Sequence, residues 1–144
     1  MWNLVFSFSL LVFTSSLTAQ SASPLGFWKT IDDETKEAKS YMELYEKNGK
    51  VYGKITKLLL KPADTVCEKC KGEKANKPLV GMILIDGLVK SGSQWKGANI
   101  LDPATGNYYD CTIWLSENSE DELKVKGKHW TGLSRTQTWY RIKS

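Results

Sequence analysis

Gly26-Phe27-Trp28-Lys29-Thr30-Ile31 is the stretch on which the reading of the fold turns. It places a tryptophan at the head of a first short strand, where an indole can plug the bottom of a sheet that closes on itself. The other half of the plug is expected from the far end of the chain, where Thr136-Gln137-Thr138-Trp139-Tyr140-Arg141 makes the last strand. Trp28 should lie against the stem and guanidinium of Arg141, or of Arg135 in another register, because a cation over an indole face is attracted by the ring quadrupole.

Between these ends the chain alternates with period two. Residues 41–47 set Met42 and Leu44 against Tyr41, Glu43 and Tyr45. Asn48-Gly49 follows, the strongest short hairpin signal, since both residues tolerate positive φ. The return strand covers 50–59. Further strands are predicted at 79–89, 94–101, 107–115, 122–128 and 134–142, with turns such as Ser91-Gly92-Ser93 and Asp102-Pro103-Ala104-Thr105-Gly106 between them. Along 107–115, Tyr109, Cys111, Ile113 and Leu115 alternate against Tyr108, Asp110, Thr112 and Trp114. Apart from a weak trace at 32–40, nothing after the first twenty or so residues has helical periodicity. The fold class is therefore all-β, one domain of eight antiparallel strands. Closure as an up-and-down barrel is preferred to a flattened sandwich because it removes exposed edges. Gly53, Gly81, Gly87, Gly97 and Gly127 also fall within strands, where a barrel needs corners and bulges. One connection, 60–78 between strands three and four, is long, charged and carries Cys67-Glu68-Lys69-Cys70. A loop of that length is a lid, a binding loop or disordered.

The 144 residues suit a single core. Residues 4–13 form a short apolar run, followed by small and polar residues up to Ala22, which together read as a secretory signal cleaved between positions 19 and 22. The barrel domain is then 23–144. The run is too short to span a bilayer, and no later stretch is apolar enough to do so. All 20 basic and 16 acidic residues follow the leader, for a net charge of +4, and Arg135 and Arg141 are the only arginines. Lysines spread over many strands serve solubility, whereas a nucleic-acid reader clusters its charge, so no nucleic-acid partner is expected.

Several short motifs together resemble a known family over most of the expected mature chain. They are Gly26-x-Trp28, Cys67-x-x-Cys70-Lys71-Gly72, Pro78-Leu79-Val80-Gly81 and Ile100-Leu101-Asp102-Pro103-x-Thr105-Gly106, then Tyr109-x-Cys111 and Arg135-Thr136-Gln137-Thr138-Trp139-x-Arg141. The resemblance is to domain of unknown function 2147, a family of small secreted bacterial proteins. It implies a calycin-like barrel similar to lipocalins, in which an arginine of the last strand covers the Gly-x-Trp of the first, and a secreted or periplasmic location. It implies no reaction. Ser134 stands where the family has a glycine.

The side-chain chemistry is sparse. In an oxidising compartment Cys67 and Cys70 are expected to pair locally, leaving Cys111 as a buried free thiol. A redox pair activated by Lys69, Lys71 and Lys74, a zinc site completed by Cys111 and His129, or a bond from Cys111 to one of the other two cysteines are the other readings. His129, the only histidine, sits beside Trp130 in a turn. No nucleophile elbow, metalloprotease helix or phosphate-cradling loop is present, so nothing calls for an enzyme, a metal or a cofactor. The aromatics are more telling. Arg135, Gln137, Trp139 and Arg141 share one strand face, and Asp110, Thr112 and Trp114 share another. Faces mixing aromatic and polar groups suit a barrel interior that holds a ligand. Trp114, Arg135, Gln137 and Trp139 are the candidate ligand contacts, and Gly26, Trp28 and Arg141 the structural plug. The expected function is binding of a small, partly apolar or amphipathic molecule at a barrel mouth overhung by 60–78. The alternative is an envelope interaction module with a filled core, acting through its surface and the cysteine loop.

Overall fold

The computed structural model describes residues 12–16 and 22–143. Most of the predicted leader, 1–22, lies outside the described residues. The strands are β1 (Gly26–Ile31), β2 (Ala38–Lys47), β3 (Lys50–Leu58), β4 (Ile83–Ser91), β5 (Gln94–Asp102), β6 (Asn107–Ser116), β7 (Ser119–Lys128) and β8 (Ser134–Arg141). Each pairs antiparallel with its neighbour in sequence, and β8 returns to β1 to close the barrel. No described helix is long and apolar enough to cross a membrane.

Alternation decides which side chains enter the barrel. Trp28, Met42, Leu44, Val51, Ile55, Ile85, Leu88, Cys111, Ile113, Leu123, Val125 and Trp139 form one buried apolar cluster. Most of their strand neighbours in the opposite phase are polar or part-exposed, the mark of a sheet with one face in the core, and Leu84 beside Ile85 on β4 is a buried exception. Where β3 runs between β2 and β4 the packing leaves no slack. A Cβ added to Gly53 would lie 2.8 Å from Leu44 Cδ2 and 3.2 Å from Ile85 Cδ1.

The strands depart from the sequence reading in three places. β2 starts at Ala38, and β7 at Ser119, each earlier than its turn-like composition suggests. Residues 79–82 are not strand. Leu79 and Met82 are buried as anchors of the long connection, whose backbone is tied to β3 by Ile55 N–H donating to the Met82 carbonyl at 3.1 Å and Gly81 N–H to the Ile55 carbonyl at 2.7 Å.

The barrel has two unlike ends. At one, the N-terminal segment 22–25 crosses beneath the start of β1 and the end of β8. At the other lie the β1–β2, β3–β4, β5–β6 and β7–β8 connections. The seam between β1 and β8 is short, with only Trp28↔Arg141 and Lys29↔Tyr140 in register.

Candidate functional site

The closed end explains the first motif. Trp28 is fully buried, and the Arg141 guanidinium carbon sits 4.3 Å from its ring centroid. The indole Nε1–H donates to the Pro24 carbonyl at 2.9 Å. Arg141 donates to the Leu25 and Ser23 carbonyls, each at 2.8 Å, and to the Glu120 carbonyl at 3.1 Å. A side chain on Gly26 would put its Cβ 3.1 Å from Arg141 Nη1, on a residue whose φ of +126° is already unfavourable for anything but glycine. Gly26 therefore leaves the space through which the guanidinium reaches the tryptophan.

The other end carries a polar chain on the inward face of β8. Trp139, buried opposite Leu123, donates its indole N–H to Gln137 Oε1 at 3.3 Å. Gln137 Nε2 donates to Asp33 Oδ2 at 2.8 Å, and Arg135 pairs with the same carboxylate oxygen at 2.8 Å. Deeper on β1 and β2 the Thr30 and Ser40 hydroxyls share a 2.7 Å hydrogen bond. Asp33 reaches the mouth because Asp32 organises its turn, accepting from Thr35 N–H at 2.8 Å and Glu34 N–H at 3.0 Å. Those bonds, led by that of Thr35, hold the Asp32 carboxyl below its ordinary range. In the sequence Asp33 is one carboxylate in a charged stretch, 32–40. Its partners lie about a hundred positions away, so no local signal marks it.

Three of the four candidate contacts, Arg135, Gln137 and Trp139, thus gather at one end. Trp114 does not join them. It is in phase with Asp110 and opposite in phase to the buried Cys111 and Ile113, and it pairs across to Lys124 on the outer surface. The alternation of β6 already held that answer, since an inward Cys111 and Ile113 require an outward Trp114.

The long connection is an ordered excursion. Val66 bridges Pro78, Cys67 N–H donates to the Lys77 carbonyl at 2.8 Å, and a single 3-10 turn spans Gly72–Lys74. Cys67 and Cys70 are joined in a disulfide and both are buried. The disulfide docks sideways on the β5–β6 turn, with Cys67 Sγ 3.7 Å from the Pro103 carbonyl oxygen. Gly106, at φ +75°, faces the Lys69 carbonyl so closely that a Cβ would overlap its oxygen and lie 2.8 Å from its carbon. The cysteine motif and the Asp102-Pro103-x-Thr105-Gly106 motif are two halves of one contact. Leu101, outward on β5 and almost fully buried, is covered on that side. Lys74 donates to the Ile83 carbonyl at 2.8 Å, while Lys69, Lys71 and Lys77 are exposed.

Cys111 is free and sits inside the barrel, apart from that disulfide. Burial, with the nearby Asp110 charge adding to it, pushes its thiol up to about 12. A thiol so protonated is a poor nucleophile at neutral pH.

A closed eight-stranded antiparallel barrel, plugged by a Trp–Arg stack at one end and carrying a polar rim at the other, is a lipocalin-like barrel. The chain belongs to the family described as "Uncharacterized protein conserved in bacteria (DUF2147)", which it matches over residues 26–141. Among solved structures it is similar to protein HP1028 from the human pathogen Helicobacter pylori, described as belonging to the lipocalin family. That likeness has a TM-score of 0.73 at 19% sequence identity and covers 85% of each chain. No curated protein matches the chain.

Proposed function

We propose that the protein is a secreted or periplasmic binder of a small, amphipathic molecule, held at the mouth by Arg135, Gln137 and Trp139. The observation that carries this reading is the polar chain Trp139–Gln137–Asp33–Arg135 on the inward face of a largely apolar barrel. The Arg135–Asp33 pair is exposed, so a ligand head group that takes over the arginine forfeits only about 0–1 kcal/mol. The apolar part of the ligand enters toward Ile100, Tyr109 and Val125. Because the region around Gly53 is packed to contact, the ligand is small and stays near the mouth. Export fits the apolar leader, with 1–22 as the removable segment and 23–144 as the mature domain, and it fits the disulfide.

Native mass spectrometry of protein gently purified from its host tests the proposal. A co-purifying small molecule is expected in the wild type. It should be lost in Gln137→Leu, and in Ala98→Leu, which enlarges an inward side chain without touching the rim. Equal occupancy in both variants refutes the binding mode.

The tight packing beside Gly53 also favours the second reading, a filled barrel that meets a protein partner through the docked cysteine loop. Charge reversal at Lys69, Lys71 and Lys77 should then weaken that contact and reduce its salt dependence, while the Ala98→Leu variant behaves as wild type.

A further inference from the structure

A concavity lies on the outside of the barrel, on the opposite face of the sheet from the mouth residues. It is a groove of about 340 Å³ lined by Asn99, Tyr108, Asp110, Lys128, His129 and Trp130, at the small end of the roughly 300–1,000 Å³ usual for ligand sites. Register builds its floor. Asn99 pairs with Asp110 and Asp110 with Lys128, so three neighbouring strands present an amide, a carboxylate and an ammonium in one row. Asp110 and Lys128 lie directly opposite with opposite charges, yet they form no ion pair, and none of the three side chains hydrogen-bonds another described residue. Their donors and acceptors are open to a ligand.

The walls are aromatic. Tyr108 is 52% exposed and Trp130 is 90% exposed, a degree rare for an indole in a folded domain. Trp130 does not hang from a loose loop. His129 N–H donates to the Leu133 carbonyl at 2.7 Å, Gly132 N–H to the His129 carbonyl at 2.9 Å, and His129 Nδ1 shares a 2.8 Å bond with Thr131 Oγ1. The imidazole is wedged between Tyr109 and Trp130, with ring centroids 5.8 and 5.4 Å away. The turn holds the indole beside the groove.

We propose that this groove binds a short neutral saccharide. A pyranose has one face of C–H bonds and a rim of hydroxyls, and it complements a site with exposed aromatic faces and unpaired amide, carboxylate and ammonium groups. The charges of Asp110 and Lys128 cancel within the row, and Lys74, 5.7 Å from the Tyr108 ring, is engaged by the Ile83 carbonyl, so the groove offers no cluster of free cations to a phosphorylated ligand. No comparable row of hydrogen-bonding groups is required to seat a purely apolar chain.

Titration of the full chain with cellotriose, maltotriose and the N-acetylglucosamine trimer, followed by indole emission and ligand-observed NMR, tests the proposal. At least one trisaccharide should give saturable binding at millimolar concentration or below. Trp130→Ala should weaken it about tenfold or more, as for an aromatic anchor, and Asp110→Ala should weaken it as well. Trp114→Ala, on the same outer face toward the other end, should leave it unchanged. Trp130 is exposed, so its removal does not threaten the fold, which circular dichroism verifies. Absence of saturable binding by all three sugars overturns the proposal, as does binding that survives both groove substitutions. Sedimentation with phosphatidylethanolamine–phosphatidylglycerol vesicles that depends on Trp130, without any response to sugar, overturns it in favour of a membrane-resting loop.

Discussion

Replacing Trp28 and Arg141, singly and together, measures what closes the barrel. Trp28→Ala removes a fully buried indole and leaves a cavity, a change that costs about 3–5 kcal/mol. Within that figure, the guanidinium stacked at 4.3 Å contributes roughly 0.5–2 kcal/mol, and the hydrogen bond to the Pro24 carbonyl about 1 kcal/mol. Arg141→Leu keeps part of the apolar cover but strips charge-assisted donors from the Ser23, Leu25 and Glu120 carbonyls, for about 1.5–3 kcal/mol. The double variant should cost less than the sum of the two by about 0.5–2 kcal/mol, the coupling of the stack. Urea unfolding followed by far-ultraviolet circular dichroism is the suitable assay, because indole emission changes with the substitution itself. With a slope near 2 kcal/mol per molar, Trp28→Ala should lower the midpoint by about 2 M. The seam has only two register pairs, so amide exchange in β1 and β8 should quicken in Arg141→Leu before that of β5 and β6. Strict additivity, or a Trp28→Ala midpoint equal to wild type, would show that the stack is incidental to closure.

Two further predictions concern residues inside and beside the barrel. Gly106→Ala should displace the cysteine loop and cost about 1–3 kcal/mol, and the now uncovered Cys67–Cys70 bond should be reduced by dithiothreitol faster than in wild type; an unchanged reduction rate refutes the docking argument. Cys111 stays protonated in the folded state up to about 12, whereas the unfolded thiol ionises near 9, so its contribution is complete below pH 9 and is lost as pH rises toward 12. Wild type should therefore lose about 2 kcal/mol more than Cys111→Val between pH 9 and 10.5, and parallel urea midpoints for the two proteins would contradict this.

Much of the barrel is legible in the chain because each hairpin is written locally. Asn48-Gly49 and Asp102-Pro103-x-Thr105-Gly106 specify their turns, and the alternation of β6 sorts Cys111 and Ile113 from Asp110 and Trp114. The errors arise where local pattern and tertiary role diverge. Pro78-Leu79-Val80-Gly81-Met82 has the composition of a strand, yet Leu79 and Met82 are buried to anchor a loop, and a short apolar run does not tell the two apart. Asp33 and the Asn99–Asp110–Lys128 row belong to the same class of difficulty. Their neighbours come from register, and the irregularity between Trp95 and Ala98 shifts the phase of β5 in a way that period-two counting does not anticipate.

The cysteine loop shows what such register-dependent contacts accomplish. A ring closed by residues three apart removes little chain entropy, so the disulfide does little to stabilise the unfolded-to-folded balance by itself. Its effect depends on where it sits. Buried against the Pro103 carbonyl and fitted over Gly106, it gives a nineteen-residue excursion, 60–78, a rigid foot on the β5–β6 turn. From that foot Lys74 reaches back to the Ile83 carbonyl at the start of β4, and its ammonium lies 5.7 Å from the Tyr108 ring. The loop therefore links the outer groove to the strand that begins beside the mouth. Loosening the foot should disturb Tyr108 in the groove through Lys74, while the Trp28–Arg141 plug at the opposite end keeps its geometry.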